Sequence, residues 1–237
     1  ALSGTPSSIA VSPQGLIHVC TGSSIQGYRL NEATNTLAYA MNSTSSLCSE
    51  LRVSADGRFL IMVSVSAAAW GVFEIVGTDY ILRSATAISG ASSLAFSEDN
   101  RHIVVVSRSG NAVYRIRFNP ANGATSLPIA SPSISAPARA AVSPQGEVIL
   151  ALSESGSPSL LSALIPLASS LQLTAQVSDG AVAQGTMVWT PDNAYAAVPQ
   201  FGHSRIRFYV YGPNGEAGLG DEMVSLQSPL AVEFVVF

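Results

Sequence analysis

The sequence predicts an all-β fold, a propeller of five four-stranded antiparallel units, and three observations lead there. One turn motif recurs five times at nearly constant spacing, each copy joins two short apolar runs, and two further strand-like segments follow each copy. The repeats lack helical periodicity, and a period of roughly 40–50 residues is that of a propeller blade rather than a helical solenoid.

The five copies read SSIAVSPQGLIHVC from Ser7, SELRVSADGRFLIMVS from Ser49, SSLAFSEDNRHIVVVS from Ser92, ARAAVSPQGEVILALS from Ala138 and GTMVWTPDNAYAAVP from Gly185. Hydroxyl residues open their turns at Ser12, Ser54, Ser97, Ser143 and Thr190, spaced 42, 43, 46 and 47 residues apart. Such a hydroxyl can bond the backbone two residues on, Pro at the second position pre-sets φ, and Gly or Asn at the fourth accepts φ > 0. Two apolar runs joined this way read as a hairpin. Being nearly continuously apolar, the first two strands of every unit are expected to be buried on both faces near the axis.

Third strands follow at SIQGYRLN from Ser24, WGVFEIV from Trp70, NAVYRIRFN from Asn111, SLLSALIPL from Ser159 and RIRFYVYG from Arg205. The third of these alternates apolar and polar residues as a half-buried strand does. Fourth strands are expected near 36–41, 80–88, 126–132, 171–178 and 222–227, the third reached through the turn Asn119-Pro120-Ala121-Asn122-Gly123. The chain is thus read as one domain with units at 7–48, 49–91, 92–137, 138–184 and 185–227. A tail, SPLAVEFVVF from Ser228, looks like a sixth first strand, so a six-unit count stays open. The tail is expected to close the ring on the first unit; addition to another edge, or a longer natural chain, are the alternatives.

Composition narrows the function classes. Over 237 residues the chain is 47% hydrophobic and 11% charged, which excludes disorder. No apolar run approaches the ~20 residues of a membrane span. Net charge is −4, all eleven basic residues are arginine, and no basic cluster is present, which argues against a nucleic-acid surface. There is no phosphate loop, no paired-Cys zinc spacing and no nucleophile elbow, so neither a cofactor nor a metal is expected. Asp56, Asp99 and Asp192 recur at one turn position and are read as structural.

Strand phasing places Cys20, ending a second strand, on the same face as Cys48, just before the next first strand. A Cys20–Cys48 disulfide is therefore expected. The bridge, the absent initiator Met and the sequon Asn42-Ser43-Thr44 in a Ser-rich stretch together point to a secreted protein glycosylated at Asn42.

The run SSLAFSEDNRHIVVVSRSGNAVYRIRFNPANG resembles the lactonase-like, YVTN-type β-propeller repeat, with its Ser-Pro-Asp-Gly-like and Asp-Ala-Thr-Gly-like turns. The likeness extends over all five repeats, but the motifs specify a blade rather than a chemistry. Members of that family usually have seven blades and a longer chain, a point on which this sequence departs. The loops between second and third strands all open on one face, and they bring Arg108, Glu154, His203 and Arg205 from three consecutive units. The resemblance implies Arg, His and Glu equipment of this kind, with arginine holding a substrate carboxylate and His or Glu moving the proton.

Three functional readings follow. The leading one is a secreted, non-enzymatic propeller that binds a protein, small-molecule or glycan partner by a loop face or the central mouth, alone or within an assembly. The alternative is a lactonase-like hydrolase or cycloisomerase acting on a small carboxylated lactone. The third is a five-site lectin, with Trp70 or Trp189 as stacking surfaces.

Overall fold

A computed structural model describes residues 4–45, 47–153, 159–178, 186–190, 192, 194–200, 205–211 and 217–224. Among them every regular element is a strand, and the twenty strands form five four-stranded antiparallel sheets. Sheet one holds β1 (Ser8–Val11), β2 (Leu16–Cys20), β3 (Ser24–Asn31) and β4 (Thr36–Ser45). Sheet two holds β5 (Glu50–Val53), β6 (Phe59–Ser64), β7 (Ala69–Val76) and β8 (Asp79–Ala87). Sheet three holds β9 (Ala91–Phe96), β10 (His102–Ser107), β11 (Ala112–Arg117) and β12 (Ile129–Ala130). Sheet four holds β13 (Pro137–Val142), β14 (Ile149–Ser153), β15 (Leu160–Pro166) and β16 (Leu171–Ser178). Sheet five holds β17 (Val188–Trp189), β18 (Tyr195–Gln200), β19 (Arg205–Tyr211) and β20 (Ala217–Val224). Each sheet is ordered as the chain runs, so no connection crosses another.

The continuous apolar runs have a direct cause. Four cores fill the spaces between successive sheets, and alternate residues of one strand serve different cores. On β10, Ile103 and Val105 face sheet two, packing with Phe59, Ile61 and Trp70. Val104 and Val106 face sheet four, packing with Ile149 and Ala151. On β14, Leu150 and Leu152 turn to sheet five and meet Met187, Trp189 and Val198. A strand sandwiched between sheets cannot alternate with polar residues. Shortening one of these wholly buried side chains, Ile103→Val, is expected to cost about 1 kcal/mol in urea unfolding.

The repeated turn closes in a way that differs from the expected bond two residues on. Phe59, His102, Val148 and Tyr195 donate their N–H to the hydroxyl five residues back, at Ser54, Ser97, Ser143 and Thr190. In the shorter first turn, Leu16 N donates to Ser12 Oγ. Asp56, Asp99 and Asp192 make the bond across two residues, accepting from the N–H of Arg58, Arg101 and Ala194. The fourth position carries φ of 73°, 71°, 58° and 74° at Gly15, Gly57, Asn100 and Gly146, as the motif demands.

The turns are also stitched to one another. Gln14 Nε2 donates to the Asp56 carbonyl, Ala55 N to Asn100 Oδ1, and Asp99 N to the Pro144 carbonyl. Sheets one to four are thereby linked in sequence through their turns.

Other expectations are modified. β12 has only two residues, because Pro128 and Pro132 flank it and cannot donate to the ladder. β20 begins earlier than expected, since pairing of Tyr211 with Ala217 sets the hairpin register. β1 is not buried on both faces: Ile9 and Val11 are exposed on the side away from sheet two. The Ser-rich stretch with the sequon Asn42-Ser43-Thr44 falls within β4. The tail 228–237 lies outside the described residues, so its closure of the ring is not part of the described fold.

Cys20 and Cys48 are joined, with Cα atoms 5.7 Å apart, tying the end of β2 to the approach of β5. No described helix is long and apolar enough to cross a membrane.

Candidate functional site

A cavity of about 590 Å³ lies where the sheets converge. All five inner strands reach it: Ile9 of β1, Arg52 of β5, Leu94 to Phe96 of β9, Ala140 to Val142 of β13, and Val188 and Trp189 of β17. Most of its lining residues are apolar, but with Arg52, Glu98 and Thr186 among them the exposed wall is about as polar as it is apolar.

The repeat explains where the polar groups sit. The residue four before each turn hydroxyl is Ser8, Glu50, Ser93, Arg139 and Thr186 in turn. In sheets one and two this residue faces the following sheet and caps a backbone N–H there. Leu51 N donates to Ser8 Oγ at 3.1 Å, and Leu94 N to Glu50 Oε2 at 3.2 Å. Ser93 Oγ adds a second bond to the same carboxylate oxygen at 3.0 Å. The other Glu50 oxygen, Oε1, is 2.6 Å from Arg52 Nη2, while Arg139 Nη1 reaches across from sheet four to 3.9 Å from Oε2.

Glu50 is held between two guanidinium groups, and the Glu98 carboxylate on the same cavity brings these four charges to zero. Arg52 also donates Nη1 to the Leu51 carbonyl, so its head is fixed along the wall. Glu98, exposed and on the turn side of the cavity, makes no ion pair among the described residues. Guanidinium groups bind carboxylate or phosphate bidentately, so the site is suited to a small anionic ligand with an apolar body. Among the described residues no three His, Cys, Asp or Glu side chains gather as a metal site.

The residues singled out from sequence are distributed differently. Arg108 lies in the turn between β10 and β11, exposed, with its N–H bonded to the Gly90 carbonyl. Arg205 opens β19, and its Nε donates to Gln200 Oε1. Arg108 is in a loop as expected, Arg205 is the first residue of a strand, and neither lines the cavity. Glu154 and His203 lie outside the described residues. Trp70 is wholly buried and offers no stacking surface, whereas Trp189 is at the cavity wall.

The sequence reading missed Glu50, Arg52 and Arg139. Their signal was present: charged residues inside otherwise apolar first strands break the repeat pattern.

The two remaining histidines serve packing. His18 on β2 is wholly buried, with Nδ1 2.8 Å from Tyr80 Oη of sheet two. Burial lowers its pKa from 6.5 to about 4 and raises that of Tyr80. His102 is lowered by burial and by Arg115, whose guanidinium bonds both His102 Nε2 and the Leu167 carbonyl.

The five sheets are consistent with a β-propeller, with the pocket where the inner strands converge, and solved structures of similar fold include ones named as lactonases. A protein from Bacteroides uniformis, named as a "putative 6-phosphogluconolactonase", superposes with a TM-score of 0.73 at 15% identity, over 99% of this chain and 76% of its own. A functionally unknown protein from Desulfotomaculum acetoxidans superposes at 0.77 and 15% identity, over 94% and 71%. The periplasmic gluconolactonase of Pseudomonas aeruginosa gives 0.55 at 14% identity, over 100% and 90%. At these identities the likeness is one of fold. No family model and no curated protein matches the sequence.

Proposed function

We propose that this chain is a lactonase-like enzyme, a hydrolase or cycloisomerase, acting on a small carboxylated or phosphorylated lactone in the central cavity. The observation that carries the reading is the cavity of about 590 Å³ with Arg52 on its wall and Arg139 behind it, paired through Glu50. The lactonases among the structural neighbours support it, more than they support a purely non-enzymatic binder. Five equivalent sugar sites are disfavoured, because the ring residues Ser8, Glu50, Ser93, Arg139 and Thr186 differ chemically from one another.

In hydrolysis, the substrate anion seats on Arg52 with its ring against Trp189 and Phe96. Glu98 takes a proton from water, which attacks the carbonyl carbon; the ring C–O bond then breaks and the leaving oxygen takes that proton from the Glu98 carboxyl. The loop set Arg108, Glu154, His203 and Arg205 is proposed as a second source of proton transfer and anion binding at the mouth. The disulfide supports an oxidising, extracytoplasmic setting.

Activity should be measured against a panel of anionic and neutral lactones. Arg52→Gln is expected to lower kcat/KM for the best anionic substrate roughly 100-fold, with much less effect on a neutral one. No turnover across the panel, or an Arg52→Gln enzyme with unchanged kcat/KM, would refute the reading. Parallel Arg108→Ala and His203→Ala variants separate the cavity wall from the loop face as the seat of chemistry.

A further inference from the structure

Arg52, the anion seat proposed above, is already engaged. Its Nη2 lies 2.6 Å from Glu50 Oε1, and its Nη1 donates to the Leu51 carbonyl at 2.9 Å. An incoming anion therefore meets a fork that a carboxylate of this chain occupies, and the two like charges compete for it. The Glu98 carboxylate on the same cavity adds to that opposition.

Arg139 stands in the opposite condition, with donors to spare. Its one described polar side-chain contact is the approach of Nη1 to Glu50 Oε2 at 3.9 Å, beyond hydrogen-bond length. Its Nε is buried and has no hydrogen-bond partner among the described residues. The side chain as a whole is 42% exposed, so its head group has room to move. Of the five residues at this repeat position only Glu50 and Arg139 are charged. Ser93 stands between them in the repeat order, and its short side chain lets Arg139 reach past sheet three.

We propose that Glu50 is an internal competitor for the anion site and that Arg139 relieves it. Without ligand, Glu50 rests on Arg52. When a carboxylate or phosphate seats on Arg52, Arg139 closes its 3.9 Å gap to hydrogen-bond distance and takes over the Glu50 charge. Oε2 stays on Ser93 Oγ and Leu94 N throughout, so the exchange needs only the two arginine head groups to turn. Arg139 is thus a positioning residue for an anion that it does not touch. The pair also sets selectivity, because a neutral lactone leaves Glu50 on Arg52 and an anionic one displaces it. This deepens the lactonase-like reading, and rests on it in taking Arg52 as the anion seat.

The test is anion binding rather than turnover. Inorganic phosphate is titrated into the full chain, and the arginine Nε–Hε signals are followed by NMR. In the parent, the Arg52 and Arg139 signals should shift with one midpoint. Glu50→Gln, which keeps an oxygen to accept from Ser93 and Leu94, is expected to bind phosphate roughly tenfold tighter, and Arg139→Gln roughly tenfold weaker. Arg139→Lys should restore most of the affinity. In the Glu50→Gln background, Arg139→Gln should change the affinity by less than about twofold, since no charge remains to be relieved. An Arg139→Gln loss that persists in full in that background would overturn the proposal, reducing Arg139 to a long-range attraction. Weaker binding by Glu50→Gln, or no shift at Arg52 in any variant, would overturn it as well. Lactone turnover is scored separately. A chain with these phosphate effects and no turnover loses the catalytic reading and keeps this one; an active chain without them does the reverse.

Discussion

Removing the Cys20–Cys48 bridge by the double substitution Cys20→Ala/Cys48→Ala is expected to destabilise the protein by about 3.5 kcal/mol. The bond closes a segment with a sequence separation of 28 residues, and the entropy it withholds from the unfolded chain accounts for that magnitude. For a domain of this size the melting temperature should fall by roughly 10 °C. The loss should also be local. Sheet one is held by described neighbours on one side only, through the core of Cys20, Ile25, Cys48, Leu51, Leu60 and Phe73. Amide exchange should therefore accelerate most in β1 to β4. Both sulfurs are buried, with Ser7 Oγ 3.0 Å from Cys20 Sγ, so the folded protein should resist mild reductants. A double variant within 1 kcal/mol of the parent by urea titration would show that the bridge adds nothing to the packing around it.

Acidification should weaken the same junction by a different route. His18 is wholly buried beside Tyr80, and its Nε2 has no hydrogen-bond partner among the described residues. Its pKa is lowered from 6.5 to about 4 by burial, so between those values the unfolded chain binds a proton that the folded chain does not. Stability rises with pH wherever the unfolded state holds more protons. The contribution is therefore complete above about pH 6.5 and is lost as the pH falls towards 4, by about 3 kcal/mol in all. His102, also lowered by burial, acts in the same direction. Urea midpoints at pH 7.5, 6, 5 and 4 should fall steadily, and His18→Gln should flatten most of that slope. A variant whose slope matched the parent's would move the sensitivity elsewhere.

Much of the fold was legible because the repeat carries its own checks. Ser54, Asp56 and Gly57 each have a fixed steric or hydrogen-bonding reason to stand in a four-residue turn, and their recurrence at Ser97, Asp99 and Asn100 counted the sheets. The disulfide was legible for the same reason: antiparallel phasing returns the end of β2 to the face where β5 begins. The site was less so. Loop charges such as Arg108 and Arg205 draw attention in a chain with few charges, yet the cavity takes Arg52 from a strand.

By itself the sequence determined the local geometry, since turn closure, strand period and apolar continuity depend on neighbours within a few residues. It also determined the order of the sheets and the Cys20–Cys48 bridge. Only the tertiary structure decided that Glu50 accepts from Ser93 and Leu94 while gripping Arg52, and that Arg139 arrives from two sheets away. It alone showed that Ile9 is left exposed where its four equivalents are buried. Both outcomes depend on which sheet faces which around the axis, and that is set by packing between residues more than forty positions apart.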